Sequence, residues 1–326
     1  MLKDKGYIGK QGLSCLSACY VNYLNYRGYK ITETDVLLSN NFKVFYYQDE
    51  NGPQLKANVY EAILNCYHNF GIQCDIRHLD GDITQGLRDL VEKDTLLTLE
   101  VGYGSLDYNA IFQHSQSAEH YINVIGIKDN MVYIDDSYIP VFPPKSYRGW
   151  YDLDKLERAW KEKSYSYRVF GIPDNIPLLK ENYEPFSLLK PFLENYLAGG
   201  KDSIYIYGVD AIDMIKKDID AIGLRNPQEV PQLLFDYNYM IKTKGAFTFK
   251  LVILEAMERI NQQNPCEDLL LEVKDIVKEW NQFSMLMIKV SMIYKNSKDL
   301  IRIKDKLDSI MEHEKVVFNQ IISLER

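Results

Sequence analysis

The chain has no Cys-x-x-Cys pair, no dense run of lysine and arginine, no internal repeat and no low-complexity tract. Its five cysteines and five histidines nowhere stand at zinc-site spacing. No metal and no cofactor are expected from them. The cysteine count is odd, and a disulfide framework is not expected in a cytoplasmic setting. The formal charge is −8, from 38 basic and 46 acidic residues. Nucleic-acid binders normally gather basic residues on one face, so no nucleic-acid partner is expected. An acidic surface suits a cationic small substrate, and an acidic protein partner would need a local basic patch. No apolar run is long enough to cross a bilayer. The first residues, MLKDKGYIGKQG, are too polar for a signal peptide. The expectation is a soluble, cytoplasmic protein with no membrane contact.

What is present is ample material for a core. Of 326 residues, 46% are hydrophobic, and the length points to two domains. In the first half, periodicity predicts a helix at about 14–27, a second from about Thr32, and a third at about 56–69 after an Asn51-Gly52-Pro53 loop. The strand IQCDIRHL, the helix around TQGLRDLVEKD and the strand TLLTLEVGY follow. In the last, Leu97, Leu99, Val101 and Tyr103 share a side. A hairpin, the helix DLDKLERAWKEK and the strand YSYRVFGI close this half. Helices first and antiparallel strands later make an α+β pattern. The segment 173–185 carries Pro173, Pro177 and Pro185 and reads as a linker. Beyond it helices are predicted near 186–198, 203–222, 228–243, 246–262, 267–294 and 297–324, with no strand alternation. Leu269, Val273, Ile276, Trp280, Phe283 and Met287 recur at helical spacing and read as core. The predicted division is an α+β domain over 1–175 and an all-α helical bundle over 176–326.

The chemistry concentrates in two motifs. In SCLSACYVNYLNYRG, Ser14 is placed as N-cap, Cys15 as the first helical residue and Gly28 as the stop. Ala18, Val21 and Leu24 give the helix a buried face. Unpaired N–H groups and the positive end of the helix dipole meet at its start, a setting for an anionic sulfur. Gln11 lies just upstream, where its amide could stabilise an oxyanion. The second motif is HYINVIGIKDNMVYIDDSY. Tyr121 to Ile127 reads as a strand, Lys128-Asp129-Asn130 as a turn and Met131 to Ile134 as the returning strand. The hairpin brings Asp135 or Asp136 back to His120, where a carboxylate would fix the imidazole tautomer. Alternation does not choose between the two aspartates, because one extra residue reverses the face. A thiol at a helix start, an imidazole on one strand and an acid on the next form a Cys-His-Asp arrangement of the papain kind.

Other candidates carry less. A lone cysteine or histidine is usually structural. Cys19, one turn into the first helix, is the rival nucleophile but lacks the helix end. Cys66 and Cys74 fall on apolar stripes and read as core, and Cys266 precedes a helix. His114, beside Gln113 and Gln116 in the loop before His120, could line a channel or simply be solvated. His68 and His78 lie at element ends, and His313 sits on a charged helix face. Glu100, on the polar side of its strand, faces either a cleft or solvent.

These motifs resemble the butirosin biosynthesis protein H family. Cys15, Ser17, Ala18, Asn22, Tyr26, Gly28, Thr32 and Glu33 carry its amino-terminal motif, NFKVFYY resembles its aromatic stretch, and the hairpin resembles its His…Asp pair. The resemblance covers roughly 8–172. It implies a papain-like catalytic domain with the acid at Asp136, and acyl transfer from an acyl-carrier-protein thioester through Cys15 to a small amine-bearing acceptor, as in antibiotic assembly. Bacteriocin-processing cysteine peptidases share the broader pattern but usually place their glutamine further before the cysteine than Gln11. A cysteine peptidase or amidase and a non-catalytic assembly protein are the alternatives. The helical domain is expected to shelter an acyl-enzyme from water or to form a homodimer.

Overall fold

The computed structural model describes residues 6–50, 52–70, 72–93, 97–109, 119–139, 144–171, 184–243 and 247–324, with backbone alone at 66–70 and 243. Most of the expected linker, together with Gln113, His114 and Gln116, lies outside the described residues. The chain divides into two compact units, one of Met1–Val36 with Val59–Asn182 and one of Leu37–Asn58 with Tyr183–Arg326. A single cut at residue 175 therefore does not describe the grouping, because the segment Leu37–Asn58 belongs with the carboxyl-terminal unit.

In the first unit, α1 (Cys15–Tyr26), α2 (Glu33–Ser39, its end lying in the second unit), α3 (Val59–Phe70), α4 (Ile83–Glu92) and α5 (Leu153–Lys161) accompany a sheet of β3 (Gln73–His78), β4 (Leu97–Gly102), β5 (Glu119–Lys128), β6 (Met131–Ile139), β7 (Lys145–Asp152) and β8 (Ser166–Gly171). The sheet is antiparallel in the order β3-β8-β4-β5-β6-β7. Helix α1 lies against β5 and β6. It is buried on all sides from Leu16 to Leu24, more than one apolar face requires. Gly28, at φ +93°, ends it as expected. Leu97, Leu99, Val101 and Tyr103 join Ile122, Val124, Leu156 and Trp160 in one buried cluster. The plan is α+β, a central cysteine-bearing helix set against an antiparallel sheet. Strand β7 is an unforeseen edge strand; most of its residues are exposed or half-buried, so its alternation is weak.

The β5–β6 register contains a decisive irregularity. Near the turn Lys128 pairs with Met131 and Gly126 with Tyr133, but further on Val124 pairs with Ile134 and Asn123 with Asp135. A bulge at Ile125 separates the two registers. Without it, Val124 would oppose Asp135, and that aspartate would share the face of His120. With it, Asp135 shares the face of Asn123, and Asp136 moves to the face of His120, Ile122 and Val124.

The second unit is helical, as expected, with α6 (Pro185–Ala198), α7 (Gly208–Gly223), α8 (Val230–Thr243), α9 (Thr248–Gln263), α10 (Glu267–Ile293) and α11 (Ser297–Ile322). It also holds a small sheet. The hairpin β1 (Val44–Asp49) and β2 (Gly52–Ala57) pairs through β1 with β10 (Ile206–Tyr207), which pairs with β9 (Gly200–Lys201). Gly52 and Pro53, expected in a loop, instead open β2, and Pro53 is tolerated because β2 is an edge strand; Asn51 lies outside the described residues. Val44, Tyr46 and Leu55 are buried, and Tyr46 and Tyr237 both donate to Asp218. Trp280, Phe283 and Met287 are buried as core. No described helix is long and apolar enough to cross a membrane.

The polar centre of this unit is the ion pair between Lys250 and Glu314, each 1% exposed. Glu314 also accepts from Trp280 Nε1 at 2.6 Å and Tyr196 Oη at 2.8 Å. Burial pulls the Lys250 pKa down to about 7 against the pull of Glu314. Removing one partner strands a buried charge, whereas removing both need cost little. Lys250→Met should therefore lower unfolding free energy by about 3–5 kcal/mol, and Lys250→Met with Glu314→Gln should recover most of it. Urea titration of the full chain measures both; equal losses in single and double variants would refute the pairing.

Candidate active site

His120 is the second residue of β5, opposite Val101 of β4. Its Nε2 lies 2.9 Å from Asp136 Oδ2, and both side chains are 0% exposed. Asp136 Oδ2 also accepts from Tyr108 Oη at 2.7 Å, and Oδ1 from the Tyr138 N–H at 3.2 Å. Tyr103 covers the imidazole, with ring centroids 4.6 Å apart. Burial alone would depress the His120 pKa. The Asp136 carboxylate and the nearby Cys15 sulfur outweigh it and raise the pKa to about 10. Cys15 is near enough to the ring to contribute to that rise. The structure thus brings Cys15, His120 and Asp136 together.

The start of α1 is held in an unexpected way. Ser14 occupies the N-cap position, but its side chain makes no capping bond. Glu33, buried at the start of α2, takes that part. Its Oε2 accepts from the Leu13 N–H at 2.7 Å, and its Oε1 from the Ser14 N–H at 3.3 Å and from Ser17 Oγ. On the other side, the Gly12 N–H donates to Ser137 O at 2.9 Å, and Asn22 Nδ2 donates to Lys10 O and Ser137 Oγ. A side chain at Gly12 would collide with Glu33 and Ala18, so this passage requires glycine. Gln11 is exposed on this segment, one residue before Gly12, as the chain passes the end of β6. Glu33 stands out in the sequence only through the family resemblance, and nothing local showed that it reaches back to Leu13.

The rival residues have other occupations. Cys19 is 0% exposed, its thiol donates to Tyr121 O, and burial, with Asp135 second, pushes its pKa well up. It is a poor nucleophile there. Asp135 accepts from Tyr7 Oη and Arg148 Nε, each at 2.7 Å, and thereby anchors the amino-terminal segment to β7. Glu100 pairs with Arg168 at 3.2 Å instead of facing solvent. His78 meets Ser164 O, and His313 lies between Glu272 and Glu279. Cys74 and Cys266 are half-buried. The side chains of Cys66 and His68 lie outside the described residues. Among the described residues no group of three or more His, Cys, Asp or Glu side chains is placed to hold a metal ion.

No family model matches the chain, and no curated protein matches it. Among solved structures it is similar to one described as a "putative C39-like peptidase" from Bacillus anthracis, with 13% identity, a TM-score of 0.36 and coverage of 52% of this chain and 96% of that one. So distant a likeness says nothing of activity. The geometry does speak to chemistry, since a sulfur beside a buried imidazole–carboxylate pair can take and release an acyl group.

The pair has a pH signature. Ring-proton NMR should find His120 titrating near pH 10, and Asp136→Asn, which leaves burial unopposed by the carboxylate, should lower the midpoint markedly. Asp135→Asn should move it far less. A raised histidine pKa gives stabilisation that is complete below about pH 6.5 and lost as pH rises through about 10. The stability gap between wild type and Asp136→Asn in urea should narrow across that range. A wild-type midpoint near 6.5 would reject the pair.

Proposed function

We propose that the chain is a cysteine-dependent acyltransferase, in which Cys15 accepts an acyl group from a carrier-protein thioester and passes it to a small amine. The observation that carries the cysteine chemistry is the buried pair of His120 and Asp136, with Cys15 near enough to act on the ring. Desolvation surrounds the base and its carboxylate, while Cys15 is half-buried. His120 and Asp136 are fully buried, and Tyr103 and Tyr108 close over them. The thioester donor, the amine acceptor and a setting in antibiotic assembly come from the resemblance to the butirosin biosynthesis protein H family.

The steps balance with these residues alone. The Cys15 sulfur attacks the thioester carbonyl, and the departing carrier thiolate takes the proton held on His120. One thioester replaces another, so no strong driving force is needed. The incoming amine then attacks the Cys15 thioester and gives its proton to His120. The Cys15 sulfur leaves, and the amide departs. Asp136 keeps the ring oriented and stabilises its cationic form throughout. Gln11 is proposed to donate to the oxyanion from the segment before α1. A homodimer through the helical unit belongs to the same proposal; Leu271, Met285 and Met292 are exposed on α10.

The test uses an acylated carrier protein or a short acyl-thioester mimic. Intact-mass analysis should show one acyl group on Cys15, discharged by an added amine faster than by water. Cys15→Ala should lose turnover by on the order of 10³-fold or more while staying folded. Cys19→Ala should keep most activity. Discharge by water alone would replace the transferase with a peptidase or amidase using the same trio, and an inactive Cys19→Ala with an active Cys15→Ala would move the nucleophile one turn along α1.

A further inference from the structure

Glu33 is a buried, multiply bonded charged side chain beside the site that the reaction steps do not use. It is 7% exposed and stands at the start of α2. Its two oxygens accept from two consecutive backbone N–H groups, Leu13 and Ser14, and from Ser17 Oγ in the first turn of α1. These donors bracket Cys15 on both sides along the chain. An ordinary N-cap would satisfy N–H groups inside the helix with the side chain of Ser14. Here the bond runs from a distant carboxylate to the residues ahead of the helix, while the cap side chain makes none. The brace acts on the path of the chain into α1.

The opposite side of that path is fixed too. Gly12 N–H is bonded to Ser137 O, and Ser137 Oγ receives Asn22 Nδ2. Ser137 is the residue after Asp136. The segment bearing Cys15 is therefore held between Glu33 and the strand that carries the acid. Gly12 leaves no room for a side chain against Glu33. The contact that Glu33 makes is close, buried and multiply bonded, which suits a role in fixing position.

We infer that Glu33 is a positioning residue for the nucleophile, setting the Cys15 sulfur against the His120 ring by clamping Leu13, Ser14 and Ser17. Its part in turnover rests on the acyl-transfer reading above; its part in the geometry does not. Acyl transfer needs the sulfur aligned on a carbonyl and on His120, and a displacement of about 1 Å is enough to cost on the order of 10²-fold in rate. Glutamine at position 33 keeps the size but puts an N–H donor against donors.

The experiment is a double-mutant cycle read by NMR on the full chain. His120 is titrated in wild type, Glu33→Gln, Cys15→Ala and the double variant. Removing the Glu33 charge should lower the His120 midpoint modestly in both backgrounds. Displacing the sulfur adds a second loss only where Cys15 is present, so the Glu33→Gln shift should be larger with Cys15 than in Cys15→Ala. Equal shifts in both backgrounds, or none, would overturn the inference. Ser17→Ala, a milder variant, should show the same difference in smaller measure and serves if Glu33→Gln does not fold. A second arm measures thioester turnover per Cys15 site titrated with iodoacetamide. Glu33→Gln should lower kcat by about 10- to 100-fold with KM within about two-fold. Unchanged kcat per titrated site would also overturn it. Wild type that shows the NMR difference but no thioester turnover would count against acyl transfer and support Glu33 as the clamp.

Discussion

Placing an imidazole and a carboxylate together at zero exposure requires stripping water from both. That loss is tolerable only if each group finds fixed partners in the interior. Much of the first unit is arranged to supply them. Asp136 receives Tyr108, the Tyr138 N–H and His120. His120 receives the Asp136 carboxylate, the Tyr103 face and the Cys15 sulfur. Because the pair sits on two neighbouring strands, its geometry is set by backbone pairing and not by flexible side chains. The sulfur is brought in on a third element, whose entry is clamped from both sides.

Two adjacent aspartates perform unrelated tasks because they point to opposite faces of one strand. Asp136 works with the histidine. Asp135 holds Tyr7 and Arg148, and Asn123 links Tyr7 to the Cys19 carbonyl. That second network ties the amino-terminal segment to the sheet just ahead of the nucleophile. A side chain at Gly9 would collide with Asp135 and Arg148, so the approach is as restricted as at Gly12. One strand therefore carries the chemistry on one face and the anchorage on the other.

The chain order of Cys15 and His120 and the hairpin after it were readable from the sequence, because a helix start and a period-two strand leave local signatures. The helices of the second unit were equally plain, since α10 keeps Val273, Ile276, Trp280 and Phe283 at helical spacing. The choice between Asp135 and Asp136 was not legible from residues alone. It depends on the bulge at Ile125, and no residue there announces an extra position in the ladder. Glu33 was visible only as part of a resemblance, because its partners lie far back along the chain. The hairpin β1–β2 was missed for a related reason. Its other neighbour, β10, is two residues long and leaves no periodicity to detect.

That hairpin also sets an order of events during synthesis. Phe45 pairs with Tyr207, so β1 leaves the ribosome long before its partner exists. Until β10 and the helices of its unit follow, β1 presents an open edge, the kind of surface that recruits stray strands. The first unit meanwhile has to close around an interruption between Val36 and Val59 whose residues belong elsewhere. Contacts so far apart in sequence form slowly. Capture of Val44–Ala57 by a region made much later is thus a long-range step, and β1 keeps an open edge in the interval before it.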